Sequence, residues 1–254
     1  YPLRRQRQMC IRDRVYAADE VTLNKLEEVA KYLNLELTQQ KPILGSYISM
    51  NEKGLYFVDE ATNASNILHV DFLSGSMGWR LKRAEHETLL KKTLGKTKDN
   101  LTIFDGTAGF LSDAMIFLSL GHKVIACEQS KIIYLLVLDA CERASSELPV
   151  LSNLTLLNGN SFEMYQDQND VDAIYLDPLY PTTKKHVSRA GNINSIRSIL
   201  DIENIIDNAD KLFTDFKGVE YKKIILKRPI KSDKLCNNIN YQIKGKSTRF
   251  DIYI

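Results

Sequence analysis

The most specific group of chemically capable residues is Asp177-Pro178-Leu179-Tyr180-Pro181, directly after the apolar run Ala173–Leu176. Proline cannot continue a strand ladder and restricts the residue before it. Asp-Pro therefore ends the strand and leaves a carboxylate and free carbonyls at its tip. At the carboxyl end of a parallel strand such acceptors face the ligand cleft, where they can hold an exocyclic amine. The ring of Tyr180 can then lie flat on the planar base that bears the amine. This is the arrangement needed to methylate a base amine; the structural alternative is a proline-rich turn that merely ends a strand.

A second group lies in Phe104-Asp105-Gly106-Thr107-Ala108-Gly109, at the end of another apolar run. Ligands of open α/β sheets bind outside the carboxyl ends of the strands, and small residues there let the backbone approach them. An acid at the strand tip suits an ammonium better than a pyrophosphate. The G-x-G-x-x-G spacing of a dinucleotide site is missing, since Phe110, Leu111 and Ser112 follow Gly109. Glu128 comes about 20 residues after the turn, where an acid can accept hydrogen bonds from ribose hydroxyls. A nicotinamide dinucleotide and S-adenosylmethionine both have a ribose, so Glu128 does not separate them.

These residues need a sheet to position them. Helical spacing is present at Thr22–Leu33 and short strands are expected at 35–37, 47–50, 54–58 and 67–72, which together predict a small α/β subdomain over 15–78. A basic amphipathic helix is expected over Trp79–Leu94. Beyond it, strands at 101–104, 123–127, 154–157, 173–176 and 222–226 alternate with helices at 111–120, 131–145 and 202–213. Such alternation predicts βαβ units and a parallel sheet. The strands at 240–243 and 249–254 are joined by a link too short for a crossover, so they should pair antiparallel. A Rossmann-like sheet of the class I methyltransferase type over 79–254 is the expected architecture.

Composition limits the setting. The chain has 254 residues, a 44% hydrophobic and a 26% charged fraction, and a net charge of +2, which suits a folded globular protein rather than a disordered one. Residues 1–14 hold five arginines and one acid; removing their +4 from +2 leaves −2. That stretch lacks the apolar core of a secretory signal and is read as a disordered or non-native leader. The four cysteines and four histidines lack metal-ligand spacing, so no metal and a reducing, cytoplasmic setting are expected. No run approaches the length of a membrane span.

Basic residues are unevenly spread. Lys184, Lys185, Arg189 and Arg197 follow the DPLYP turn, ten basic residues and two acids lie between Lys217 and Arg249, and more crowd the helix from Trp79. Arg80, Lys184, Lys185, Lys227, Arg228 and Arg249 are the expected contacts to a nucleic-acid backbone.

Together these segments resemble the bacterial small-subunit ribosomal RNA methyltransferase J family, guanine-N2 methyltransferases that act on 16S rRNA with S-adenosylmethionine. The resemblance runs over roughly 55–254. It is carried by HVDFLSGSMGWR (69–80), DGTAG with Ser112-Asp113-Ala114, Glu128-Gln129, IYLDPLYP (174–181), LKRP (226–229) and KGKSTRFDIYI (244–254). It implies a cofactor site formed by Asp105, Gly106, Gly109, Ser112, Asp113 and Asp177, with Glu128-Gln129 at the ribose and Asn160-Ser161 near the adenine. Asp177 and Pro178 would hold the target amine and Tyr180 would stack on the base. The partner implied is 16S rRNA or the small ribosomal subunit. Leu111 and Ser112 depart from the Gly and Arg common in the family. A NAD-dependent oxidoreductase, and an RNA-binding protein built on a decayed methyltransferase fold, are the alternative readings.

Overall fold

The computed structural model describes residues 14–63, 67–96, 99–180, 191–206 and 208–254. Within them the chain forms two compact units, each built from separate stretches of sequence. Residues 1–13 of the expected leader lie outside the described residues, but Arg14 opens a strand.

The first unit takes in the chain up to Asp71 together with Ser130–Arg143 and His186–Ile205. It contains β1 (Arg14–Tyr16), α1 (Glu20–Leu33), β2 (Glu36–Thr38), β3 (Tyr47–Asn51), β4 (Gly54–Val58) and β5 (Ile67–His69). The strand order is β2-β1-β3-β4-β5. The three-residue β1, too short for period-two alternation to reveal, pairs parallel with both β2 and β3. Asp19 starts α1 by accepting the Thr22 N–H at 2.9 Å, and Asn34 ends it in the left-handed conformation. Between them Leu26, Val29 and Ala30 form the buried stripe.

Asp139, on the later helix that begins at Lys131, is the polar centre of this unit. Its buried carboxylate accepts from Leu55 N at 3.0 Å, Lys25 Nζ at 3.0 Å and Arg143 Nε at 2.8 Å. A Cβ on Gly54 would lie 2.3 Å from Arg143 Nε and from Asp139 Oδ2, and φ there is +104°. Only glycine admits this approach.

The second unit holds α2 (Gly75–Leu81), α3 (Thr88–Leu94), β6 (Thr102–Asp105), α4 (Ala114–Ser119) and β7 (Lys123–Glu128). Chain order then gives α5 (Lys131–Ala144), whose residues fall almost wholly in the first unit, and β8 (Leu154–Asn158), α6 (Ser161–Gln166) and β9 (Ala173–Leu176) in the second. After α7 (Gly191–Ile202), again of the first unit, come α8 (Ala209–Lys217), β10 (Ile224–Pro229), β11 (Tyr241–Lys244) and β12 (Thr248–Tyr253).

The seven-stranded sheet has the order β11-β12-β10-β9-β6-β7-β8. Strands β10, β9, β6, β7 and β8 run parallel, while β12 pairs antiparallel with both β10 and β11. The expected parallel sheet with an antiparallel carboxyl-terminal hairpin is therefore present. Phe104, Ile174, Leu176, Phe213, Phe216 and Tyr253 centre a core built from β6, β9, α8 and β12. Among the described residues no helix is long and apolar enough to cross a membrane.

Three helices differ from the pattern expected of the sequence. The single helix over Trp79–Leu94 is broken between α2 and α3 by a 3-10 turn at Ala84–His86. Across this break Arg80 reaches Glu87, seven residues away, at 2.5 Å. The helix expected from Leu111 starts at Ala114 instead, because Leu111 has φ +56° and cannot belong to a right-handed helix. The helix expected over 202–213 begins only at Ala209, as α8, while Ile202 ends α7, a helix the sequence pattern does not lead one to expect. Asn204 turns left-handed, Glu203 accepts the Lys131 and Ile132 N–H groups at the start of α5, and Asn208 caps α8.

Candidate active site

The carboxyl ends of β6, β7, β9 and β10 supply the candidate residues. The chain leaves β6 for β7 and β8 on one side, and β9 then returns to the other side of β6, so the topological switch lies between β6 and β9. That is where open α/β sheets bind ligands. Asp105 ends β6, Glu128 ends β7, and Asp177 follows β9 directly. In the register of β9 with β10, Leu176 faces Leu226, so Asp177 and Lys227 come next to each other.

Thr107 joins two of these tips. Its hydroxyl accepts the Asp177 N–H at 2.7 Å and donates to Asp105 Oδ1 at 3.3 Å, while its own N–H donates to the same oxygen at 3.0 Å. Asp105 is buried, and burial is the main reason its carboxyl is pushed up to about 7. The Thr107 N–H opposes that rise, and the Asp113 and Asp177 carboxylates add to it.

Asp113 is held by three partners. Arg80 Nη2 reaches its Oδ1 at 2.7 Å, Lys227 Nζ reaches its Oδ2 at 2.7 Å, and the Tyr175 hydroxyl donates to Oδ2 as well. Burial would raise this carboxyl, but Lys227 and Arg80 hold it down at about 2. Lys227 also meets Asp177 Oδ2 at 2.7 Å. Asp177 titrates above the usual carboxylate range because desolvation in the cleft outweighs the Lys227 charge. Its side chain is still 36% exposed, which leaves it open to a ligand.

Gly109, at φ +49°, donates its N–H to Glu128 Oε2 at 2.8 Å, so the glycine turn is tied to the tip of β7. Asn158 Nδ2 holds the Glu128 carbonyl at 2.7 Å and the Gln129 carbonyl at 3.3 Å; the Gln129 side chain is exposed. Asn160 caps α6 through the Phe162 and Glu163 N–H groups, and Ser161 is buried behind it. The Tyr180 hydroxyl donates to the Lys227 carbonyl at 2.7 Å, and the Arg228 guanidinium lies 4.8 Å from its ring centre. Asp105, Gly106, Gly109, Glu128 and Asp177 thus converge on one end of the sheet. Ser112 is exposed there, and its carbonyl accepts from Arg80 at 2.8 Å.

The expected nucleic-acid contacts need correction. Lys184 and Lys185 lie outside the described residues. Arg249 is buried, paired with Asp251, and donates to the carbonyls of Pro229, Ile230, Ser232 and Asp233, closing the turn after β10. Arg228 is buried against Tyr180 and Ser232. Arg80 and Lys227 are spent on acids inside the site. A count of basic residues along the sequence cannot tell a solvated cation from one whose acid partner arrives from another strand. Thr107 and Tyr175 stand inside the quoted motifs, but the sequence assigns them no role because neither type signals one without the contact it makes.

Residues 28–254 match the protein family described as "Putative SAM-dependent methyltransferase". The chain belongs to this family. Among its curated relatives is a ribosomal RNA small subunit methyltransferase J of Desulfotalea psychrophila, 28% identical over 91% of this chain and 92% of the relative. A protein of the same name from Francisella tularensis subsp. novicida is 32% identical over 63% of this chain and 68% of its own length. The crystal structure of a SAM-dependent methyltransferase from Neisseria gonorrhoeae has the same fold, with a TM-score of 0.70 at 24% identity over 95% of both chains.

The methyltransferase uses S-adenosylmethionine, and the strand-tip residues fit that group. Asp105, a buried carboxylate, would take the amino-acid ammonium, and Glu128 at the tip of β7 would accept from the ribose hydroxyls. Asn160-Ser161 stand at the start of α6, next along the same sheet edge. Neither alternative reading of the sequence is supported: family and fold are those of SAM-dependent methyltransferases, not of nicotinamide oxidoreductases or of RNA-binding proteins without activity.

Proposed function

We propose that this methyltransferase transfers a methyl group to the exocyclic N2 amine of a guanine in 16S ribosomal RNA, in the cytoplasm, with the rRNA or the small subunit as its partner. The observation that carries the reading is the Asp177 carboxylate held by Lys227 beside Asp105. The names of the curated relatives support small-subunit rRNA as the substrate.

When bound, S-adenosylmethionine supplies a methyl group made electrophilic by its sulfonium centre. The chain's own residues align the amine with it, and alignment supplies most of the acceleration in such a displacement. Asp177 and the Pro178 carbonyl accept the two N–H groups of the amine and aim its lone pair. Asp177 acts as an acceptor rather than a strong base, because the amine proton leaves after the new bond has formed. Tyr180 lies along the planar base, fixed at its hydroxyl by the Lys227 carbonyl.

Mass-spectrometric mapping of 16S rRNA from a strain lacking the gene tests this reading. One guanine should lose a single methyl group and regain it when the gene is restored. An unchanged 16S methylation pattern would exclude the substrate.

A further inference from the structure

Trp79 is the only tryptophan in the chain, and 64% of it is exposed. Single exposed aliphatic residues are commonplace and need no explanation. An indole is different, because tryptophan is, with tyrosine and arginine, enriched among the residues that dominate binding surfaces, and it offers a large rigid face. With so much of the residue in solvent, the ring cannot be covered on both sides. One side has the Arg83 guanidinium, 5.0 Å from the ring centre.

The position of this ring is tied to the active site. Arg80, the next residue on α2, bonds the Ser112 carbonyl at 2.8 Å and Asp113 at 2.7 Å, and also pairs with Glu87. Asp113 in turn shares Lys227 with Asp177. The helix that displays the indole is thus pinned to the loop following the glycine turn, and the ring stands on a fixed element rather than a free loop.

The charge around the ring is positive. Arg80 is neutralised internally and Lys91 pairs with Glu85, whereas Arg83 at the ring and Lys82, three residues on from Trp79, are both exposed. An exposed aromatic face backed by a guanidinium, with a second exposed cation three residues on in the chain, matches unpaired nucleotides. Bases stack on the face while phosphates meet the cations.

We propose that Trp79, backed by Arg83, is the platform on which the substrate RNA stacks an unpaired base near the reacting guanine. The inference rests on the RNA reading above and extends it to a second contact, outside the amine pocket. Stacking tolerates any base, so this contact supplies affinity and orientation rather than sequence choice.

Because Trp79 is the one tryptophan beside twelve tyrosines, fluorescence excited at wavelengths that tyrosine does not absorb reports on it alone. A single-stranded RNA of about 12 nucleotides should quench the emission of the full chain. Trp79→Ala should raise KM for a 16S rRNA transcript roughly 5- to 100-fold, the usual effect of losing one stacking partner. Trp79→Phe should recover part of that loss, and S-adenosylhomocysteine should bind both variants as it binds the wild type. No quenching together with an unchanged KM would overturn the proposal while leaving the methylation reading intact. Loss confined to assembled small subunits, with naked rRNA unaffected, would also overturn it and assign the indole to a ribosomal protein. A wild-type chain that methylates neither substrate would instead remove the reading on which the proposal rests.

Discussion

Lys227 Nζ stands 2.7 Å from Asp113 Oδ2 and 2.7 Å from Asp177 Oδ2, so one ammonium bridges the loop after the glycine turn and the proposed acceptor of the target amine. Replacing it by methionine leaves two carboxylates facing each other in a desolvated cleft. Both then bind protons more tightly, since the cation that favoured their ionised forms has gone. In Lys227→Met the acid limb of the pH–rate profile should move to higher pH by roughly one to two units, with kcat falling more than the affinity for RNA. Lys227→Arg should restore the limb in part. A pH profile that scales down without shifting would refute this role for the lysine.

Asp177→Ala should abolish methyl transfer, with a loss of roughly 100-fold or more, as expected when a positioned acceptor of the transition state is removed. Asp177→Asn keeps one carbonyl oxygen for the amine and should retain a measurable rate. Single-turnover assays give the rates, and circular dichroism checks that both variants are folded. Near-normal turnover of the alanine variant would exclude Asp177 from amine recognition.

Asp105 predicts a pH-dependent cofactor affinity. Its carboxyl is pushed up to about 7, mainly by burial, and only the ionised form attracts an ammonium. S-adenosylmethionine should therefore bind progressively more weakly as pH falls below 7, by up to about tenfold per unit, and should release a proton on binding near pH 6.5. Titration calorimetry in buffers of different ionisation enthalpy measures that proton. Asp105→Asn should abolish both the release and the pH dependence. For the fold the sign is opposite: unfolded, this carboxyl ionises near 4, so its contribution to stability falls as pH rises from about 4 to 7.

Leu111 combines backbone strain with complete burial. The resemblance places glycine here in related proteins, and φ +56° explains why glycine suits the position. A non-glycine residue in this conformation costs roughly 1–2 kcal/mol, whereas removing a buried leucine side chain costs roughly 2–5 kcal/mol. The second effect is the larger. Leu111→Gly should therefore destabilise the protein despite relieving the strain, and urea unfolding compared with wild type will show the sign.

Much of the site could be read from the sequence because its signals are local. Asp177-Pro178 ends a strand wherever it occurs, and Asp105 and Glu128 sit at strand tips that apolar runs reveal. Lys227 was visible only as a charge, since its two acids come from β9 and from the loop before α4, 50 and 114 residues away. The same limit hid the buried state of Arg249, whose partners are the carbonyls of a turn. Helix boundaries failed where a side-chain contact replaced the regular period, locally at Arg80 with Glu87 and over a long range at Glu203 with the start of α5. The strand β1 escaped because three residues are too few for a pattern.

The discontinuity of the first unit has a consequence for synthesis. Its sheet is complete once His69 has been made, but the Asp139 carboxylate that receives Leu55 and Lys25 comes 70 residues later, and the unit ends only at Ile205. At about 5–20 residues per second, the nascent amino-terminal sheet waits several seconds outside the ribosome before its polar centre arrives. A chaperone or a slowed stretch of translation would act during that interval, and a fragment cut after the sheet would leave Leu55 and Lys25 without their acid.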